Sequence, residues 1–354
     1  ATEEEIGRLP HASIADLDDA LEAAEKGFET WRQVAPIERA KVLMKAAALM
    51  RERQEEIALA ITAEHGKPLP QARLEVIRGC EFFEWDAGEA TRTYGRVIPS
   101  APGVRYIVHH QPIGIVAAFS PWNFPMSQPC RKVAGAIAAG CSIILKAAEE
   151  TPAGALHIAK ALHDAGLPPG VCNLVFGTPA EISDHLIRQE AVRLVAFTGS
   201  TTVGTHLTTL AAQHMTPVLM ELGGHAPVIV CEDTDVKAAA LSGAVRKMRT
   251  AGQVCTSPTR FFVHESIFDE YADIFVRRAA ETVVGNGMDT GVEMGPLANE
   301  RRPAALAELV EDAVAQGAEL RTGGHRKGDK GYFFEPTVLT NVPDNAKVMQ
   351  VEPF

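Results

Sequence analysis

Apolar side chains recur at intervals of three or four residues in the first part of the chain. One such series runs through Ile14, Leu17, Leu21, Ala24 and Phe28. Further series follow Pro36 and Pro70. This spacing places apolar side chains on one face of a helix, and proline is favoured in a helix's first turn. The pattern therefore predicts three helices before residue 94.

The pattern changes at residues 94–111, where β-branched and aromatic residues such as Val97, Ile98 and Tyr106 lie between turns. Segments of this kind are typical of short strands. We therefore predict a two-stranded excursion here, separate from the elements on either side of it.

Beyond residue 113 short apolar segments alternate with segments of helical periodicity. The apolar segments are residues 113–119, 142–145, 171–176, 194–197 and 218–220. Strands that alternate with helices of about 10 to 15 residues are typical of right-handed crossovers. The sequence therefore predicts an α/β fold with a doubly wound parallel sheet. Such sheets bind ligands where the carboxyl ends of the strands meet the following helices.

A second alternation follows Gly224. It consists of a strand at 227–230, a helix from Val236, a strand at 260–263 and a long helix from Ile267. We interpret it as a second α/β domain. The predicted limits are 1–93 and 113–221 for the first domain, 94–112 for the β-excursion and 222–354 for the second domain.

Composition narrows the class of protein. The chain has 354 residues, of which 46% are hydrophobic and 22% charged, as expected of two globular domains. Its net charge is −11, and no run of basic and aromatic residues could follow a phosphate backbone, so nucleic acid is not an expected partner. No stretch approaches the roughly 18 apolar residues of a membrane span, so no membrane association is expected.

The six cysteines lack any Cys-x-x-Cys pair. Reduced thiols in a cytoplasmic protein are therefore expected, with no zinc or other metal site. Residues 1–10 lack the basic start and apolar region of a signal peptide. Because the sequence does not begin with methionine and its last residues carry no terminal element, we expect it to be part of a longer polypeptide.

Cys255 is the cysteine best placed for chemistry. It follows Gly252 in a segment between a predicted helix and a predicted strand, where the thiol could be exposed. A thiolate is a strong nucleophile, although most free cysteines are buried and serve only as small apolar residues. Position alone leaves both interpretations open.

Two further polar residues follow predicted strands of the parallel sheet. Glu221 precedes Gly223 and Gly224 and could act as a general base, or equally as a cap or ion-pair partner. Asn123 lies between Pro121 and Pro125 and could donate to an oxyanion, or simply satisfy its own turn.

Other strand ends offer weaker signals for a phosphate-bearing ligand. Gly199 and Ser200 join a strand to a helix, whose first amides could hold a pyrophosphate. No G-x-G-x-x-G motif occurs there, so Gly199 alone is a weak signal. Lys146 and Glu149 follow another strand, where a solvated charge pair is the simpler interpretation.

Taken in order, these segments resemble the aldehyde dehydrogenase superfamily over essentially the whole chain. The motifs are Trp122-Asn123-Phe124-Pro125, Lys146 with Glu149, Phe197-Thr198-Gly199-Ser200, Glu221-Leu222-Gly223-Gly224, Gly252-Gln253-x-Cys255, Met294-Gly295-Pro296-Leu297 and Glu352-Pro353-Phe354. The resemblance implies a cofactor domain, a catalytic domain that appears truncated at its C-terminus, and an oligomerisation β-element at 94–112. A homodimer or homotetramer is expected.

The resemblance also assigns roles. It implies that Cys255 is the nucleophile, Glu221 the general base, and Asn123 with the Cys255 amide the oxyanion hole. The reaction would oxidise an aldehyde to a carboxylic acid through a thiohemiacetal and a thioester. The implied cofactor is NAD, with NADP possible, and the implied cofactor-binding residues are Trp122, Lys146, Glu149, Gly199, Ser200, Leu222 and Glu352.

Two arginines indicate the substrate. Arg131 and Arg249 match positions where succinate-semialdehyde dehydrogenases hold the distal carboxylate, although Arg131 could be an ordinary charge on a helix face. Glutarate semialdehyde or 2-oxoglutarate semialdehyde would also fit. The alternatives are an uncharged aldehyde, a coenzyme A-dependent reaction, which Glu221 argues against, and a non-catalytic member of the fold.

The chain departs from the family's pattern at three positions. Thr250 and His225 stand where the family usually has asparagine, and Ala147 stands where proline is frequent. None of the three is an expected nucleophile, base or oxyanion donor, so we expect them to alter local loop geometry more than activity.

Overall fold

The computed structural model describes residues 1–354. The helices are α1 Ile14–Trp31, α2 Pro36–Glu52, α3 Gln54–His65, α4 Leu69–Ala90, α5 Ser127–Ala139, α6 Ala153–Ala165, α7 Pro179–Ile187, α8 Thr201–Ala212, α9 Val236–Met248, α10 Phe268–Ala280, α11 Arg301–Ala315 and α12 Lys347–Gln350. The strands are β1 Arg96–Ile98, β2 Tyr106–Val108, β3 Ile115–Phe119, β4 Ser142–Lys146, β5 Cys172–Val175, β6 Val192–Gly199, β7 Val218–Leu222, β8 Pro227–Val230, β9 Arg260–Val263, β10 Glu319–Thr322 and β11 Val338–Thr340.

The N-terminal helices begin as the sequence predicts. Ser13 caps α1 in a capping box, because its hydroxyl accepts the Asp16 amide while Asp16 accepts the Ser13 amide. Pro36 occupies the first turn of α2. The apolar run that follows Pro36 is two helices, not one, because the chain leaves helical geometry at Arg53 between α2 and α3.

Five parallel strands form the main sheet in the order β5-β4-β3-β6-β7. Helices α5 to α8 connect consecutive strands, so the predicted doubly wound parallel sheet is confirmed. Every residue of β3 and β4 is buried, whereas β7 is an edge strand with alternate residues exposed. The order reverses between β3 and β6, and the loops that follow these two strands border that switch point, where such sheets bind ligands.

The chain divides into two compact units. The larger unit comprises residues 7–64 and 73–222 and contains the five-stranded sheet. Its core joins Leu17 and Leu21 of α1 to Ile115, Ile144 and Val195 of the sheet.

The second unit comprises residues 1–6, 65–72 and 223–354. Within it, β8 and β9 pair in parallel, and α9 and α10 pack on them around Val230, Ala244, Tyr271 and Phe275. The antiparallel pair β10–β11 lies beside α10 and α11.

The predicted β-excursion is an antiparallel pair, β1–β2, with Val97 opposite Ile107. Val97, Tyr106 and Ile107 are all more than half exposed, so the pair carries apolar side chains on its surface. No helix is long and apolar enough to cross a membrane. No cluster of three or more histidine, cysteine or acidic residues has the geometry to hold a metal ion.

Candidate active site

The cysteine loop of the second unit begins with an unusual turn. After α9 ends, Thr250, Ala251 and Gly252 take positive φ values of 51°, 54° and 76°. Left-handed backbone is strained for residues other than glycine, so other contacts must hold the turn. Gln71 supplies one, since its Oε1 accepts the amide of buried Thr250 at 3.1 Å. The chain then reaches Cys255, which is half-buried.

Buried Gln253 fixes the loop from inside. Its backbone amide and its Nε2 both donate to the Thr250 carbonyl, at 3.0 and 3.2 Å. Its Oε1 accepts the Ala298 amide at 2.9 Å. The side chain thereby brings together two motifs that are distant in the sequence, the glycine-glutamine-cysteine segment and the segment around Pro296, whose carbonyl also accepts from Nε2.

Lys247 lies under the same loop, although its sequence position gave no sign of this. Its ammonium donates to Ser257 Oγ at 3.4 Å, and a Cβ added at Gly252 would meet its Nζ at 3.0 Å. Burial lowers the pKa of Lys247 to about 8, and the carboxylate of Glu352 opposes that shift. Glycine at position 252 therefore leaves room for a buried cation as well as allowing the positive φ.

A cavity of about 240 Å³ adjoins the Cys255 loop. Its walls include Val254, Thr256 and Ser257, together with the arginines Arg246 and Arg249. Two guanidinium groups beside an otherwise mostly apolar cavity favour an anionic ligand group. Arg249 was predicted from the sequence, whereas Arg246 was not.

In the larger unit, Asn123 is buried in the loop that follows β3. Two hydrogen bonds hold this loop: the Ser120 amide donates to the Lys146 carbonyl at 3.1 Å, and the Thr151 hydroxyl donates to the Trp122 carbonyl at 3.2 Å. Trp122 is half-buried. The loop is thus attached to the residues that follow β4.

Buried Glu75 holds the far end of the Asn123 loop. Its Oε1 accepts the amides of Met126 and Ser127 at 2.9 and 3.2 Å, where α5 begins. A carboxylate at a helix N-terminus satisfies free amides and complements the helix dipole. Sequence reasoning missed Glu75 because its partners lie about fifty positions away in the chain.

Glu221 stands on the edge strand β7, opposite Thr198 of β6. Lys132 of α5 donates to Thr198 Oγ1 at 2.7 Å. Burial lowers the pKa of Lys132 to about 8, and the Glu221 carboxylate opposes the shift. An ammonium therefore lies near the predicted general base.

Lys146 and Glu149, after β4, form a largely buried ion pair and not a solvated one. Lys146 Nζ lies 2.6 Å from Glu149 Oε1, and the same oxygen accepts the Gly177 amide at 3.2 Å after β5. The ends of two adjacent strands are therefore joined by one carboxylate. Polar groups collect here at the edge of the sheet where a nucleotide ribose is expected.

The end of β6 offers a second feature suited to a nucleotide. Ser200 caps α8 by accepting the Val203 amide at 3.3 Å, and Gly199 precedes it at the end of β6. Ser120 Oγ, buried after β3 across the switch point, has no hydrogen-bond partner. Leu222, at the end of β7, packs so closely on α8 that a Cβ at Gly204 would meet it at 2.5 Å. These residues fit the expected dinucleotide.

Glu352 of the second unit reaches the turn that follows β7. Its Oε1 accepts the Gly224 amide at 3.1 Å. A Cβ at Gly223 would lie 2.3 Å from Oε2, so this close approach requires glycine.

Arg131, next to Lys132 on α5, is exposed and lies over the ring of Phe82, with 4.5 Å from Cζ to the ring centroid. It also acts on Asp86, whose pKa burial raises to about 6 while Arg131 opposes the rise. The guanidinium thus has contacts on α4, and its role toward a substrate stays a prediction.

The predicted site residues are shared between the units. Asn123, Glu221, Arg131 and the residues after β4 and β6 belong to the larger unit, and Cys255, Arg249 and Glu352 belong to the second.

A doubly wound parallel sheet with polar groups at its strand ends is typical of an α/β enzyme of the dehydrogenase type, and the second unit adds a cysteine that follows a left-handed turn. Residues 1–354 match the model of the aldehyde dehydrogenase family, and the chain belongs to that family. The predicted superfamily, fold class and oxidoreductase class are therefore confirmed. Proteins of this family use NAD or NADP, in agreement with the expected cofactor.

Curated relatives include the 4-(hydroxymethyl)benzenesulfonate dehydrogenase of Comamonas testosteroni, 47% identical over 355 aligned positions that cover 100% of this chain and 74% of the relative. The glutarate-semialdehyde dehydrogenase of Pseudomonas aeruginosa is 41% identical with the same coverage. Among solved structures, the succinate-semialdehyde dehydrogenase of Burkholderia pseudomallei superposes with a TM-score of 0.95 at 39% identity, covering 98% of this chain and 72% of that one.

Proposed function

We propose that this protein oxidises an aldehyde that bears a remote anionic group to the corresponding carboxylic acid, with NAD or NADP as the oxidant. The observation that carries the proposal is the arrangement around Cys255. A braced left-handed turn presents the thiol, and the adjoining cavity carries Arg246 and Arg249. This combination provides a nucleophile for the carbonyl carbon and a place for a distant negative charge.

In the first half of the reaction, the Cys255 thiolate forms a bond to the aldehyde carbon while the carbonyl electrons move to oxygen. The resulting oxyanion receives hydrogen bonds from the Asn123 amide and the Cys255 backbone amide. NAD or NADP, when bound, would supply the acceptor for the hydride that leaves this carbon as the carbonyl re-forms. A thioester on Cys255 remains.

In the second half, Glu221 takes a proton from a water molecule, whose oxygen attacks the thioester carbon. The carbon–sulfur bond breaks, which releases the carboxylic acid and restores the thiolate. Lys132, which donates to Thr198 opposite Glu221, places a positive charge near the proposed base.

The relatives support an anionic substrate. Their names refer to a benzenesulfonate, to glutarate semialdehyde and to succinate semialdehyde, each with a sulfonate or carboxylate distant from the oxidised carbon. Arg249 and Arg131 are the proposed partners of that group, and succinate semialdehyde or a similar ω-carboxy aldehyde is the proposed substrate. Bidentate guanidinium contacts suit carboxylate and sulfonate alike.

For the cofactor, Lys146 and Glu149 are proposed to hold the adenosine ribose, and Gly199 and Ser200 the pyrophosphate. Glu352 is proposed to hold the nicotinamide ribose. Trp122 and Leu222 are proposed to border the cleft. The exposed apolar pair β1–β2 supports a homodimer or homotetramer, because exposed apolar patches mark association surfaces.

The proposed function is tested by following NADH absorbance with succinate semialdehyde. Cys255→Ala is expected to abolish turnover while cofactor binding persists. Glu221→Gln is expected to give one burst of NADH without steady turnover, since acylation precedes the water step. Substantial turnover by Cys255→Ala, or unchanged turnover by Glu221→Gln, would contradict these roles.

A further inference from the structure

The imidazole of His225 is hydrogen-bonded at both nitrogens within the second unit. Nε2 lies 2.7 Å from the Val348 carbonyl oxygen, and Nδ1 lies 2.5 Å from Thr259 Oγ1. A carbonyl can only accept, so Nε2 carries a hydrogen and donates it to Val348. Nδ1 pairs with the Thr259 hydroxyl, whose oxygen also lies 3.3 Å from the Ala226 carbonyl. His225 therefore joins the turn after β7 to the start of β9 and to α12.

The residue before His225 makes a second contact with the same part of the chain. The Gly224 amide donates to Glu352 Oε1, four residues beyond Val348. Consecutive residues thus hold two points on residues 348–352. We name these two hydrogen bonds, Gly224 to Glu352 and His225 to Val348, the Glu352 clasp.

The opposite side of this segment is fixed to α11. The Lys347 amide donates to Asp312 at 2.7 Å, and Lys347 Nζ pairs with Glu308 at 2.7 Å. Beyond Lys347, Val348 and Met349 pack on the cluster around Ala313 and Ala346, and Gln350 Nε2 donates to the Asp344 carbonyl at 2.7 Å. The clasp adds the hydrogen bonds that join this segment to the turn after β7. The charges of Lys247 and Arg302 also act on Glu352.

The Glu352 carboxyl group has little room to move against the turn. A Cβ at Gly223 would already lie within 3.0 Å of three atoms of the Glu352 carboxyl group. A shift of the segment along the turn would therefore break the Gly224 bond or press the carboxyl group against the backbone. The hydrogen bond from His225 to Val348 therefore helps to fix the position of residues 348–352 along this turn.

We propose that His225 is a positioning residue for cofactor binding, which acts through Val348 to keep Glu352 aligned with the Gly223–Gly224 turn. The proposal rests on the proposed function, because Glu352 serves there as a ligand of the nicotinamide ribose. It assigns to His225 a role in affinity for the cofactor and none in the bond-making steps.

Three substitutions of His225 distinguish the contributions of its two ring nitrogens. His225→Gln keeps an amide nitrogen near the position of Nε2 and preserves the Val348 bond. His225→Asn is shorter, reaches only the position of Nδ1 and loses the Val348 bond. His225→Phe keeps an aromatic ring and loses both bonds. Thr259→Val removes the Nδ1 partner, together with the bond from the Thr259 hydroxyl to the Ala226 carbonyl, keeps the Val348 bond and serves as the control.

The first measurement needs no cofactor: hydrogen exchange of peptides that span residues 345–354 in the full chain. We expect exchange about fivefold faster in His225→Asn and His225→Phe, and near the unmodified rate in His225→Gln and Thr259→Val. Peptides from α10 report on general destabilisation and should not change. Equal exchange in the Gln and Asn variants would overturn the clasp.

The second measurement is the dissociation constant of NADH from fluorescence, with the KM of the aldehyde at saturating cofactor beside it. His225→Asn and His225→Phe should weaken NADH binding about fivefold, with aldehyde KM within twofold and with rescue in His225→Gln. Faster exchange with unchanged NADH affinity would overturn the positioning role. Absence of NADH formation by the unmodified protein would instead overturn the proposed function, and the exchange result would still decide whether the clasp exists.

Discussion

A single side-chain oxygen, Gln71 Oε1, accepts both hydrogen bonds that Thr250 offers, from the amide at 3.1 Å and from the hydroxyl at 3.3 Å. The two residues are 179 positions apart in the sequence. This pairing braces the first residue of the left-handed turn that leads to Cys255, and it gives the first prediction.

Gln71→Met should lower the free energy of unfolding by about 1 to 3 kcal/mol, because it leaves the buried Thr250 amide without its acceptor. Urea unfolding of the variant measures this loss. Gln71→Glu retains an acceptor oxygen and serves as the control. A Met variant as stable as the unmodified protein would show that the contact does not brace the turn.

Thr250→Asn should stabilise the protein or leave it unchanged, despite the loss of the hydroxyl bond. Threonine is β-branched and poorly suited to a φ of 51°, whereas asparagine adopts left-handed backbone more readily. We expect the thermal midpoint to rise or hold in Thr250→Asn and to fall in Thr250→Val, which keeps the strain and loses the bond. The reverse order of midpoints would refute this account of the turn.

Glu64 should make stability depend on pH. Its carboxylate accepts the Ala153 amide at the start of α6, yet burial raises its pKa to about 7. The folded protein therefore retains the Glu64 proton where the unfolded chain has lost it. Its contribution to stability is full below the ordinary pKa of 4.5 and is lost as the pH rises through about 7.

Glu64→Gln fixes the neutral form, so the variant should gain on the order of 1 to 3 kcal/mol relative to the unmodified protein between pH 5 and pH 8. Urea unfolding at both pH values measures the difference, with exposed Glu52→Gln as the control. A constant difference between the two proteins across this range would contradict the raised pKa.

NAD should be preferred to NADP. A 2′-phosphate beside Glu149 would place like charges together in a partly buried pocket, although Lys146 reduces the repulsion. Glu149→Ser should raise kcat/KM for NADP relative to NAD by about tenfold or more. Exposed Glu150→Ser should leave the ratio unchanged. Equal efficiency with both cofactors in the unmodified protein would mean that Glu149 does not face the ribose.

Arg249→Ala should raise KM for succinate semialdehyde by one to two decades, since a charge-assisted hydrogen bond contributes about 1.5 to 3 kcal/mol. Butyraldehyde lacks the carboxylate, so its KM should stay within about twofold. Arg131→Ala is expected to behave likewise, and Arg277→Ala, exposed on α10, is the control. If both aldehydes lose activity together, the arginines are structural.

Local pattern was enough to predict most of the elements. The strands β8 and β9 have the predicted limits, because continuous apolar segments bounded by polar residues fix a strand locally. The break at Arg53 escaped prediction because the residues around it keep the helical periodicity of their neighbours.

Motifs indicated the candidate site, but the residues that support it could not be read from the sequence. Glu75, Gln71 and Lys132 act on partners 51, 179 and 66 positions away. Hydrogen bonds at such separations leave no periodic trace, since they depend on how distant segments pack. The pair of Lys146 and Glu149 could be recognised in the sequence because the two residues are only three positions apart.

The edge position of β7 has a dynamic consequence. Glu221 stands on a strand with a neighbour on one side only, whereas Asn123 follows the buried central strand β3. Edge strands open at lower free energy than central ones, so amide exchange along β7 should be the faster. The proposed general base is thus carried by the strand expected to open more readily, and the proposed oxyanion donor follows the strand expected to stay closed.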